Sequence, residues 1–166
     1  RVLAGAARPP AATDTDVGVC RRAADAGERD LAEALHTAPS PLFLTALEMF
    51  DLDGVTAEEF YEVYARVLPE KDFRDDVAQL AGGVCLAMEF TGPGAVASMR
   101  RIAGPRGVDL ARRLRPDSIR GAMAESAAKK AVHVTDLPED GPTEAEYFFA
   151  VLQDTEPARP DAPVPA

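Results

Sequence analysis

The 166-residue chain has two histidines, His36 and His133, and the second sits where side chains can do chemistry. It follows a short apolar run, Ala131-Val132, and is followed by Val134-Thr135-Asp136, which predicts a strand end beside a loop. Neutral imidazole is an effective nucleophile near neutral pH. Upstream, Arg100, Arg101, Arg106, Arg112, Arg113, Arg115 and Arg120 place seven of the eighteen Lys and Arg residues in one short span. In a chain of formal net charge -10, such a cluster beside a lone histidine reads as a small polyanion site. The competing reading is arginines on solvated helix faces and a packed histidine, and spacing alone favours it. His36, in a polar stretch, reads as an exposed residue without a role.

Composition narrows the classes. The length supports one domain with a sizeable core, and 46% hydrophobic content fits a globular protein. Trp is absent, so the core must be built mainly from Leu, Val, Ala and Phe. The acidic balance argues against general binding of nucleic acid. No run is long enough to span a membrane, and no signal peptide is visible. Cys20 and Cys85 lack disulfide or metal-ligand spacing and read as reduced thiols of an intracellular protein. Starting on Arg1 rather than Met, the chain reads as part of a longer protein.

The elements that must position these residues follow from the apolar patterning. Strands are expected at Val2–Ala7, Leu42–Leu52, Val84–Phe90 and Ala131–Val134, sharing one sheet. Residues 11–16 read as loop, and Val17 to Ala26 as a helix that stops at Gly27. The polar stretch from about 28 to 43 reads as an insertion. Thr56 and Thr143 each open a capping-box pattern, with Glu three residues later. The first helix should bury Phe60, Val63, Tyr64 and Val67. A second should bury Phe73, Val77 and Leu80, and a third Val96, Met99 and Ile102. Val108 to Leu114 is a further short helix. The last helix should bury Phe148, Val151 and Leu152. The segment 154–166, rich in Pro, Ala and acid, reads as a disordered tail. The expected class is an α/β sandwich, with one domain over residues 1–153.

Ser118-Ile119-Arg120-Gly121 followed by Ala131 to Asp136, the Ala87-Met88-Glu89 strand, the helix end at Arg100 to Gly104, and Glu58-Glu59-Phe60-Tyr61 together resemble the nucleoside diphosphate kinases. The resemblance runs to about Gln153. It implies a ferredoxin-like βαββαβ core with a four-stranded antiparallel sheet and extra helices. It also implies phosphoryl transfer through a phosphohistidine, with His133 as nucleophile. Glu144 then falls at the carboxylate that holds the other ring nitrogen, and Thr135 at the hydroxyl beside it. Arg100 and Arg120 match phosphate-binding arginines, and Tyr61 a phosphate-site tyrosine. Phe73 is the loose match for a base-stacking ring. Nucleoside tri- and diphosphates are the implied ligands, with Mg²⁺ on the ATP or other nucleotide rather than in a protein metal site.

The pattern departs from the family in three cationic positions. Arg8 stands for a phosphate-binding Lys, Arg106 for a Thr and Lys130 for an Asn. Glu58 to Tyr64, Arg113 to Pro116 and Thr135 to Gly141 resemble a two-domain ciliary branch of the family. That implies a cytoplasmic protein of the cilium or flagellum axoneme, with tubulin or other microtubule proteins as partners. The classes in play are therefore a working kinase, an inactive structural module of the axoneme, and a nucleotide sensor. Taken singly, Glu144 reads as a first-turn helix acid, Thr135 as a turn former and Tyr61 as a core-edge residue.

Overall fold

The computed structural model describes residues 14–21 as backbone and residues 41–155, the last two again as backbone. Four strands form one antiparallel sheet: β1 (Asp14–Arg21), β2 (Phe43–Phe50), β3 (Cys85–Gly92) and β4 (Val132–Val134), in the order β2-β3-β1-β4. β1 and β2 run parallel on either side of β3, and β3 and β4 on either side of β1. Each parallel pair therefore needs a crossover connection, as in the expected ferredoxin-like arrangement. The helices are α1 (Gly54–Tyr61), α2 (Glu70–Leu80), α3 (Ala95–Ala103), α4 (Val108–Leu114), α5 (Ile119–Met123) and α6 (Gly141–Glu146). α6 continues through a π-helical turn, Tyr147–Val151, into α7 (Leu152–Thr155). No helix among the described residues is long and apolar enough to cross a membrane.

β3 explains the two-layer core. Successive side chains of a strand point to opposite faces. Cys85 and Ala87 join the cluster of Phe50, Phe60, Tyr61, Tyr64, Phe73, Val77 and Phe148, while Met88 and Phe90 join Met99, Ile102, Ile119, Val132 and Val134. Such a strand is buried on both faces and reads as a continuous apolar run rather than an alternating one. β4 obeys the same period: Val132 and Val134 face the α3 layer, which turns His133 to the layer of α1 and α6.

Several expectations are corrected. The strand expected at Val2–Ala7 lies outside the described residues, as do Arg8 and most of the 28–43 insertion and 154–166 tail. The first described strand is Asp14–Arg21, where a loop and then a helix were expected. The spacing of Val17, Cys20 and Ala24 fits a helix by coincidence, whereas the β-branched Thr15, Val17 and Val19 recur at period 2. α1 is capped by Asp53, which accepts from the Thr56 amide at 2.8 Å, not by Thr56. After Tyr61 the chain tightens into a 3-10 turn, Glu62–Tyr64, so Val63 and Val67 are exposed and Tyr61 takes a buried place. α6 begins at Gly141, ahead of Thr143. The π turn adds to the helical repeat, leaving Phe148 and Leu152 buried and Val151 exposed.

Gly104 ends α3 at a φ of 81° with its N–H on the Arg100 carbonyl at 3.0 Å, and it releases the loop that carries Arg106. A Cβ there would lie 2.1 Å from Ser118 Oγ, whereas at Gly94, φ 65°, it would meet nothing within 4 Å. Gly104→Ala is therefore expected to cost about 3 kcal/mol and to lower the melting midpoint by about 10 °C. Gly94→Ala carries strain alone and should cost about 1 kcal/mol. Equal melting points for the two variants would show that the Ser118 contact does not constrain the loop.

Candidate active site

His133 is built into the structure from three sides. Its ring is 7% exposed and stands edge-on to Phe60, Tyr61 and Tyr64, at centroid distances of 5.2, 5.4 and 5.9 Å. Sequence reading places it at a strand end beside a loop; it lies in the middle of β4, paired with Val19 and buried. The chain reaches β4 through Ala131, at a φ of 69°, a left-handed conformation costing about 1 kcal/mol for a residue with a Cβ.

Glu144, on the first turn of α6, is buried and gathers three partners. Oε2 lies 3.2 Å from His133 Nε2 and accepts from the Thr135 hydroxyl at 2.8 Å, and Oε1 accepts from the Tyr64 hydroxyl at 2.9 Å. Burial works to raise its pKa, but the charge and hydrogen bonding of His133, followed by Thr135 and Tyr64, outweigh that and hold the carboxyl below its ordinary value. Burial and the Glu144 charge push the Tyr64 hydroxyl well above the ordinary tyrosine range, so it stays a donor. An ionised carboxylate only accepts, so Nε2 carries a proton, and in the neutral ring the lone pair is on Nδ1. Among the described residues Nδ1 has no hydrogen-bond partner.

The cations lie beside this pair. Arg100, in the last turn of α3, is ion-paired with Asp136. Arg106 and Lys130 both pair with the buried Asp76 of α2: Arg106 Nη2 with Oδ2, and Lys130 Nζ with Oδ1 at 2.6 Å. Arg120 donates through Nη1 to the Gly104 carbonyl at 2.6 Å and through Nη2 to the Val132 carbonyl at 3.2 Å, and its Nε has no partner among the described residues. Burial first, then the charge of Arg106, pushes its pKa down to about 10. Tyr61 is raised well above its ordinary value by burial and then by Asp76.

The model of the nucleoside diphosphate kinase family matches residues 28–153, most of the chain. The chain belongs to the nucleoside diphosphate kinase family. The matched span includes the stretch from 28 to 43 that sequence reading sets apart as an insertion. The chain is similar to nucleoside diphosphate kinase homolog 7 of Mus musculus, 41% identical over 109 residues, covering 66% of this chain and 27% of that protein. It is thus far shorter than that relative. The nucleoside diphosphate kinase of Ruegeria is 30% identical over 133 residues, covering 78% of this chain and 89% of its own. Among solved structures, that of the Aquifex aeolicus nucleoside diphosphate kinase superposes with a TM-score of 0.72 at 28% identity, over 85% of this chain and 98% of that one.

In this nucleoside diphosphate kinase fold, His133, Glu144, Thr135 and Tyr61 meet at one place; Arg106 and Arg120 act on Tyr61 through their charge, Arg100 acts on Arg120, and Lys130 is linked to the group through Asp76. Phe73 is different: its ring is 6% exposed in the core, with Arg74 over it at 5.6 Å. Its outer edge lines a cleft shared with Glu58, Glu62, Ala65, Glu70 and Arg74, a set from which His133 is absent. Two site residues escape the sequence reading. Tyr64 passes for core, although a buried tyrosine hydroxyl needs a partner. Asp76 had a legible signal: it falls on the Phe73, Val77, Leu80 stripe of α2, where a charge must be paired.

Proposed function

We propose that the chain transfers phosphoryl groups between nucleotides by way of a phosphohistidine at His133. The observation that carries this reading is the ring's asymmetry, with Nε2 on Glu144 and Nδ1 without a hydrogen-bond partner among the described residues. Nδ1 attacks the γ-phosphorus of a nucleoside triphosphate, the bond to the bridging oxygen breaks, and its electron pair leaves with the nucleoside diphosphate. The ring becomes a phosphoimidazolium that keeps the Nε2 proton, and its charge faces the Glu144 carboxylate. A second diphosphate takes the group by the reverse steps. The arginine and lysine charges suit the anionic, loosely bonded transition state.

Among the described residues no three His, Cys, Asp or Glu side chains are grouped as ligands for a metal ion. The Mg²⁺ of the family reaction would be carried on the nucleotide phosphates. Incubation with γ-labelled ATP and Mg²⁺ should label the chain, with the label stable in alkali and lost in acid. An acid-stable label, or none, would sink the reading.

A second reading has its own support. Arg100, Arg106 and Lys130 are already engaged by carboxylates, which fits a domain kept mainly as a packing module. On this second reading the chain works in the cytoplasm and axoneme, with tubulin or other microtubule proteins as partners, and its support is the resemblance to the ciliary branch. A chain that takes no label yet sediments with microtubules would be such a module.

A further inference from the structure

Asp76 stands on the buried stripe of α2 with Phe73, Val77 and Leu80, and is itself 4% exposed. A carboxylate there has to be paired, because an isolated buried charge is too costly to keep ionised. It has two partners from two separate segments. Lys130 comes from the turn before β4, and Arg106 from the loop that Gly104 releases after α3. α2 grips the first of these twice, because the Lys130 main-chain N–H also donates to the side-chain carbonyl of Gln79, one turn beyond Asp76.

The triad belongs to the neighbourhood of His133. Tyr61, whose ring is 5.4 Å from the histidine, feels the charges of Asp76, Arg106, Glu144 and Arg120. Its three members differ in exposure: the Arg106 side chain is 34% exposed, that of Lys130 10% and that of Asp76 6%. Arg106 is therefore the arm that solvent, or an anion, can reach.

We infer that Asp76 sets how strongly this site takes polyphosphate, by holding Arg106 and Lys130 as its own counter-ions. The inference rests on the phosphoryl-transfer reading of the site. A phosphate chain arriving at Arg106 meets a guanidinium already shared with a carboxylate, and the two anions repel. Engagement turns the triad into two pairs, Arg106 with phosphate and Lys130 with Asp76. Asp76 is thus a positioning residue, acting through the two cations rather than on the substrate.

The test is calorimetric titration with inorganic tripolyphosphate and with ATP–Mg²⁺, at low and moderate salt. Asp76→Asn should bind both roughly tenfold more tightly than the parent, the scale expected for one unit charge acting over about 10 Å in a partly solvated site. Its affinity should also fall more steeply with salt, because freed cations add to the charge that salt screens.

Asp76→Asn leaves Lys130 buried without an anion and can fail to fold. A second comparison avoids this: Lys130→Asn against the double variant Asp76→Asn with Lys130→Asn. The double variant keeps the parent's net charge in the triad and releases Arg106. It should bind tripolyphosphate about tenfold more tightly than Lys130→Asn alone. Unchanged or weaker binding in this comparison overturns the inference. The label on His133 is scored separately. Labelling of the parent with no gain in the double variant overturns the role of Asp76 and leaves the transfer reading standing. A gain with no label in any variant supports the role of Asp76 and overturns the transfer reading.

Discussion

His133→Gln is expected to abolish phosphoryl transfer. The glutamine amide can still donate to Glu144, so the buried carboxylate keeps its third partner, but the amide nitrogen has no lone pair fit for attack. Turnover should fall by at least about a thousandfold, and the acid-labile label should vanish. Alanine is the poorer choice. His133 is packed by three aromatic rings, and truncation leaves a cavity worth about 2–3 kcal/mol of stability. Melting curves for both variants separate the two effects. A glutamine variant that labels at the parent's rate would place the phosphorylated atom elsewhere in the chain.

Glu144→Gln carries the second large effect. Its neutral amide no longer compels Nε2 to hold the proton, and it faces the phosphoimidazolium without a counter-charge. Loss of a partner that orients a reacting ring typically costs about 10–100-fold, and the upper end is expected here because charge compensation goes too. The same carboxylate leaves a signature in acid. Its folded pKa is below the ordinary value, because the three bonded partners outweigh burial. Its stabilisation is therefore in full force above the unfolded carboxyl range, about 4.3, and is lost as pH falls through the lower folded value. The parent should be more stable than Glu144→Gln at neutral pH, with the gap closing in acid. A gap that persists in acid would mean that shape, not charge, holds Glu144 in place.

Much of this architecture was legible because several elements are marked locally. Phe73, Val77 and Leu80 recur at helical spacing, and Gly82-Gly83 stops them, so α2 can be read without its neighbours. The apolar run from Val84 to Met88 announces a strand buried on both faces. Where reading failed, tertiary structure had overridden a local rule. The valines at 63 and 67 fit a regular helix, but the 3-10 turn after Tyr61 rotates them into solvent. β1 was masked by a chance helical spacing. The site divides in the same way. His133, Thr135 and Glu144 lie within twelve residues and travel as one motif. The pairing of Asp76 with Lys130, fifty-four positions apart, is a property of the folded chain alone.

Arg120 fastens Gly104 to Val132, and with them the loop that carries Arg106 to the strand that carries His133. One planar fork spans both carbonyls, a task for which a lysine's single ammonium is poorly shaped. Selection to keep the chain foldable would therefore preserve this arginine even in a descendant that had stopped turning over nucleotides. Arginine at this position in a family member is thus weak testimony for catalysis. The histidine and the carboxylate that fixes its proton are what separate an enzyme from its retired relatives.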